Sequence, residues 1–308
     1  MLNEDGAPIE GANVHIGYPS HQPSNIRGEH KKGHTDENGY FTFTGTASWK
    51  ASVSVRQDGF YETLLSPEIH ESDSRGNARL KSNVEVEVVL RKIRNPVPMY
   101  AGRIKLPFPE SIGRFGFDLL ERDWVHPHGE GNHVDLWISV DFTYESSDNY
   151  ELALLWEFEG ESNGIQPFQP FEHSRFKSAY EAPLEGYSNS IEWIRSRLPN
   201  KSATRRVGEP RVLIRNDTED DSDVLMAKSG YFIRFRSILN EDGEVEGGYY
   251  GKIYGAGSFF VGLDEDSSGE MFTGVIYVNP REGGRNIEFD LDKNLLEGLP
   301  RDLQPRFP

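Results

Sequence analysis

The stretch Val84-Glu85-Val86-Glu87-Val88-Val89-Leu90 alternates apolar and charged side chains with a period of two. Only an extended chain puts every second residue on one face. Val84, Val86, Val88 and Leu90 are therefore expected to share the buried face of an antiparallel strand, with Glu85 and Glu87 on its wet face. The same period recurs in Asn13–Tyr18, Tyr40–Thr44, Ala51–Arg56 and Phe60–Leu64, between turn pairs such as Asn38-Gly39 and Asp58-Gly59. Ser72–Asn83 is mostly polar and reads as a loop. No helical period appears in residues 1–92, so the first part of the chain is expected to be all-β.

Asn95-Pro96-Val97-Pro98 interrupts this pattern, and two prolines in four residues favour a stiff connector. The reading is a domain over residues 1–92, a linker over 93–99 and a second domain over 100–308. The second domain is also strand-rich, with candidates at Leu136–Tyr144, Tyr150–Phe158, Arg211–Arg215, Tyr231–Ile238, Gly248–Tyr254, Ser258–Leu263 and Thr273–Val278. Ser188–Leu198 is predicted as one short helix. Ser188 or Ser190 can cap it, Ile191, Ile194 and Leu198 form one stripe, and Pro199 ends it. The expected fold class is thus all-β with one short helix. With 18 Phe, 13 Tyr and 5 Trp, the chain has enough aromatic area to pack a core although only 36% of it is hydrophobic.

Charge narrows the partners. Fifty acids against 33 bases give a net charge of −17. Residues 1–92 hold 13 acids and 10 bases, and the remainder holds 37 and 23, so the second domain carries most of it. A phosphate-binding face needs clustered Lys and Arg, which disfavours nucleic acid and anionic membrane surfaces. No apolar run is long enough to span a bilayer. The absence of cysteine excludes disulfides, thiolate metal sites and Cys nucleophiles.

Two stretches in the first domain carry a family resemblance. Asn3–Val14, NEDGAPIEGANV, is a Gly-containing turn, then Pro-hydrophobic, then Gly11-Ala12 opening a strand. Thr35–Phe43, TDENGYFTF, is a polar turn that breaks into Phe41 and Phe43. With the closing VEVEVVLRK, these resemble the carboxypeptidase regulatory-like domain, a transthyretin-like seven-stranded β-sandwich. The resemblance implies an accessory domain, used for folding, spacing or binding, that supplies no catalytic residue. It also implies a place outside the cytoplasm. No leader is visible, and Met1 is read either as a native start or as a start replacing a removed leader. The family has a strand before the NEDG turn, and here only Met1-Leu2 remains of it. An open strand edge near Val14 is therefore expected, available for self-assembly or for another surface protein.

Candidate chemistry lies mostly in the second domain. His126, His128, His133 and Asp135 sit within ten residues, and imidazole with carboxylate suits zinc. Asp217, Asp221 and Asp223 lie in a dense acidic run that suits calcium, although the EF-hand Gly and Glu are not at their positions. Asp264-Glu265-Asp266 is a second acidic turn, and His30 with His34 is a further pair. Trp124, in a polar segment, is the candidate ring for stacking on a glycan, whereas Trp137 and Trp156 read as core. No nucleophile elbow, Walker loop or Ser-x-x-Lys pattern is present. The leading expectation is a non-catalytic exported structural, adhesive or assembly protein, with calcium or a surface glycan as candidate ligands. The rivals are a secreted hydrolase with its site near His126–Asp135 and a carbohydrate-binding module.

Overall fold

A computed structural model describes residues 1–22, 25–45, 50–72, 78–81, 83–110, 112–146, 149–197, 211–213, 230–254 and 270–308. Those residues contain strands and no helix. No helix is therefore long and apolar enough to cross a membrane among them. The chain divides into two compact units. Unit 1 is Met1–Asn95 with Phe171–Lys177 and Phe307, and unit 2 is Pro96–Pro170, Ser178–Arg306 and Pro308.

Unit 1 contains β1 (Leu2–Asn3), β2 (Asn13–Gln22), β3 (Asn25–His34), β4 (Ser52–Arg56), β5 (Thr63–Leu65), β6 (His70–Ser72), β7 (Ala78–Leu80) and β8 (Val89–Leu90). Its main sheet runs β3-β2-β4-β5, all antiparallel, with β1-β8 and β6-β7 as separate pairs. The period of two on β2 buries Val14, Ile16 and Tyr18, which meet Val53 and Val55 of β4, Leu65, Val88 and Leu90.

The edge expected near Val14 is not open. Val14 pairs with Gly33 on one side and Val55 on the other, so β2 is an interior strand. Met1-Leu2 are occupied as well, since Leu2–Asn3 pairs in parallel with Val89–Leu90. The Thr35–Phe43 turn is built as its residues suggest. Thr35 Oγ1 donates to Ile9 O at 2.6 Å and accepts from Ala12 N at 2.9 Å. Asp36 Oδ1 accepts from Asn38 N at 2.9 Å and Tyr40 N at 2.8 Å. Gly39 takes a φ of 75°, and the Met1 ammonium donates to its carbonyl at 2.7 Å. Beyond the turn, Tyr40–Thr44 joins no ladder. Phe41 packs on the core but Phe43 is exposed, with its ring stacked on Tyr18.

Unit 2 contains β9 (Val97–Pro107), β10 (Gly113–Asp118), β11 (Asp123–Trp124), β12 (Leu136–Ser146), β13 (Asn149–Phe158), β14 (Gly164–Phe168), β15 (Ser190–Arg197), β16 (Arg211–Leu213), β17 (Gly230–Leu239), β18 (Val245–Tyr254), β19 (Glu270–Val278) and β20 (Phe289–Asn294). They form two six-stranded sheets, β11-β10-β12-β13-β15-β16 and β14-β17-β18-β19-β9-β20. One core joins them: Phe115, Phe117, Ile138 and Trp156 from the first meet Ile104, Ile233, Phe235 and Ile276 from the second. A further cluster of Met99, Phe232, Tyr250, Tyr277 and Phe289 covers the other face of the second sheet. This is why the first six residues of β17, 230–235, are buried one after another instead of alternating.

The helix predicted over Ser188–Leu198 is corrected to a strand. Ser190–Arg197 pairs with β13, Ile191 opposite Trp156, and with β16, Ile194 opposite Arg211. A stripe this short carries little helical stability of its own, and ladders on both sides outweigh it. Of the segment read as a linker, residues 93–96 join no strand, whereas β9 starts at Val97 and Met99 is fully buried. The acidic run with Asp217, Asp221 and Asp223, the Asp264–Asp266 turn and the Ser258–Leu263 strand lie outside the described residues.

Candidate functional site

Among the described residues, the sequence-predicted site residues do not assemble. Trp124 is 3% exposed, packs edge-on against Phe115 and Phe117, and donates Nε1–H to Pro107 O at 2.9 Å. Its ring is covered and offers no face to a glycan, which corrects that expectation. Trp156 is buried, and Trp137 is half-buried with Arg114 over its ring. His126, His128 and His133 are exposed, and His128 rests edge-on against Phe115. Asp135 is buried and approached by His133 alone of the three, at 3.9 Å. Among the described residues no group of three or more His, Asp or Glu is placed to hold a metal ion, so the zinc set His126, His128, His133 and Asp135 is also corrected. The reason is local: Asp135 points inward to an arginine that sequence reading missed.

That arginine is Arg236. It donates Nε–H to Asp135 Oδ1 at 2.7 Å, and its Nη2 reaches Asp135 Oδ2 at 3.0 Å and Asp118 Oδ1 at 2.8 Å. Asp118 also accepts the amides of Leu120, Glu121, Asn132 and His133, and Asp135 accepts that of Leu119. Burial pushes the Asp135 carboxyl up, against the opposing pull of the Arg236 hydrogen bond and the Leu119 amide. Arg236 holds a φ of 51°, a strained conformation for a side chain of that size. The partners lie 101 and 118 positions apart, so nothing local announces them. These bonds turn both carboxylates toward internal donors, and the cluster pins the 118–135 loop to β17.

Among the described residues, two open grooves lie in unit 1. The solvent face of β2, β3 and β4 carries His15, Gly17, His30, Ser52 and Ser54, opposite the faces that build the core. With Leu64, Leu65, Ser66 and His173 they line a groove of about 520 Å³. A second groove, of about 440 Å³, adjoins it and shares Leu65, Ser66 and His173. Its banks are Leu65–Glu68 and Lys81 with Asn83–Val86. His173 has a φ of 71°, and its carbonyl accepts from Leu64 N at 2.8 Å, closing the free edge of β5.

The second groove exists because a ladder stops. His70 pairs with Leu80 in the β6-β7 hairpin, and the next step is a hydrogen bond from Lys81 N to Ile69 O at 2.9 Å. Hydrogen-bonded pairs recur at every second residue of an antiparallel ladder, so Pro67 and Asn83 come next. Pro67 has no N–H to give. The chains part there, and residues 83–88 belong to no strand. The amides of 83–87 find no backbone acceptor among the described residues. Val84 and Val86, expected in the core, are 41% and 36% exposed, and only Val88 and Leu90 are buried. The strand expected over Val84–Leu90 from its period is therefore corrected to Val89–Leu90, because Pro67 cannot continue the ladder that 83–87 would need. No family model, no curated protein and no solved structure matches this chain.

Proposed function

We propose that the chain is a non-catalytic exported assembly or binding protein that takes up an extended peptide strand along residues 83–87. One observation carries this reading: a segment with strand periodicity that lines a groove and joins no strand, whose amides have no backbone acceptor among the described residues. An added strand supplies those acceptors and covers Val84 and Val86. The exported location and the accessory role rest on the resemblance to carboxypeptidase regulatory-like domains, and under it unit 1 is a transthyretin-like sandwich. Charge sets the chemistry of the partner. Glu85 and Glu87 are exposed and alternate with the valines, so a strand alternating apolar and basic residues complements both faces. Calcium remains the ligand suggested by Asp217, Asp221 and Asp223.

The test uses the full chain and a synthetic peptide alternating Val and Lys. Saturable binding with slowed hydrogen exchange at the amides of 83–87 is the expected result. A peptide alternating Val and Glu should bind at least tenfold more weakly. Unchanged exchange at 83–87 under saturating Val-Lys peptide would sink the reading.

A further inference from the structure

The floor of the first groove holds two imidazoles in contact. His15 Nε2 lies 3.2 Å from His30 Nδ1, with ring centroids 5.1 Å apart and planes at 39°. The backbone explains the meeting. His15 faces Lys32 across the β2-β3 ladder and His30 faces Gly17, so the two histidines are diagonal neighbours on one face. A diagonal pair touches only when its side chains are long and nothing stands between them. Gly17 leaves that space: a Cβ there would lie 3.3 Å from His30 Nδ1 and 3.0 Å from Ser52 Oγ. The His30 ring occupies the room a side chain would have taken.

We propose that His15 and His30 form an open two-imidazole site for a borderline divalent ion, Zn²⁺ or Cu²⁺. Metal–nitrogen bonds of about 2.0–2.1 Å spanning this donor separation subtend an angle of about 100° at the ion. That lies between the right angle of square-planar ligation and the tetrahedral angle, so the rings need little movement to bind. The facing nitrogens must both be unprotonated, with each ring keeping its N–H on the far nitrogen. The ion then replaces the proton that the two nitrogens share in the hydrogen bond. Imidazole donors select Zn²⁺ or Cu²⁺ over Ca²⁺ and Mg²⁺, which prefer oxygen. Two protein ligands leave coordination positions facing the groove, where water or a donor from a bound molecule completes the shell. His34, which the sequence pairs with His30, instead lies with Nδ1 3.4 Å from Gly11 O. The inference does not depend on strand uptake at residues 83–87.

Titrating tag-free full-length protein with Zn²⁺, followed by imidazole resonances in NMR and by calorimetry, tests it. One equivalent should bind and shift the His15 and His30 signals together. His15→Gln and His30→Gln should each weaken binding at least tenfold, while His34→Gln leaves it unchanged. Gly17→Ala retains both imidazoles but crowds the His30 ring, and it should weaken binding by a similar factor. Both glutamine variants alter exposed or half-exposed positions, so near-native circular dichroism is expected alongside the loss. Zn²⁺ binding that survives both single glutamine substitutions, or no saturable binding at millimolar Zn²⁺, would overturn the proposal.

Discussion

Gly39 is the residue on which the Thr35–Phe43 turn depends. Its φ of 75° disfavours any side chain, and a Cβ there would come 2.4 Å from Met1 O, a backbone atom with little freedom to yield. Gly39→Ala should therefore cost about 2 kcal/mol or more. Asp36→Ala, which releases two backbone amides that are exposed to water, should cost about 1–2 kcal/mol. Urea unfolding of the full chain measures both, and the order of the two costs is the check. Glu62 is a second informative residue. Burial pushes its carboxyl up, but hydrogen bonds from Arg56 and Ser54 and the charges of Arg175 and Arg56 outweigh it. The carboxyl therefore titrates below the usual range in the folded chain. A depressed folded pKa contributes stability that is complete above the unfolded value, about 4.3, and is lost as pH falls through the folded value. Glu62→Gln should lower stability at neutral pH and flatten its fall on acidification. Equal slopes for both proteins below about pH 4.5 would contradict this assignment.

At the scale of elements, two devices decide what is fixed and what is open. The Asp118–Asp135–Arg236 cluster fixes β17 against the 118–135 loop. Arg236→Met leaves two buried carboxylates without their cation and should cost about 3–5 kcal/mol. Its sign with pH is distinctive. The uncompensated carboxyls take up protons more readily, so the deficit should shrink toward pH 4 in denaturation curves, and a deficit that grows instead would refute the account. Pro67 is the opposite device, ending a ladder that the flanking residues are patterned to continue. Pro67→Val restores the missing N–H and should slow amide exchange at 83–87 and abolish uptake of the Val-Lys peptide. Global stability should change by less than about 1 kcal/mol, since the new hydrogen bond is offset by the freer unfolded chain. These elements also show how far the sequence was legible. Strands with one wet face, such as Asn13–Tyr18 and Tyr150–Phe158, announce themselves by alternation and appear as β2 and β13. The Thr35–Gly39 turn was legible because its hydrogen bonds are local. Ser190–Arg197 was misread because ladders from distant strands set its conformation. The Asp118–Arg236 partnership and the His15–His30 contact arise from chain reversals and long-range pairing, which no local period reports.

At the scale of the whole molecule, the boundary between compact units does not coincide with one cut in the sequence. The chain passes Asn95 into unit 2, but Phe171–Lys177 belongs to unit 1. That short return is structural. Leu64 N bonds to His173 O and Arg175 N to Glu62 O, completing the edge that β5 would otherwise expose. Phe176 is fully buried against Tyr61. Arg91, itself buried, donates to Phe176 O at 2.9 Å and to Glu4 at 3.1 Å, while its guanidinium lies over the rings of Phe171 and Phe176. A guanidinium in that position is desolvated and depends on these partners. A fragment ending at Asn95, the cut that the proline-rich stretch invites, therefore lacks a wall of its own core. Expressed alone, residues 1–95 should unfold at lower urea than unit 1 does in the full chain. A peptide spanning 171–177, added in trans or grafted through a glycine linker after Asn95, should recover part of the difference. In the intact chain Phe176→Ala should cost about 3–5 kcal/mol. It should raise amide exchange in β4 and β5 while leaving β17 and β18 protected. If fragment 1–95 matches the full chain's unit 1 in urea midpoint, Phe171–Lys177 is a passive loop and the wall it forms contributes nothing to folding.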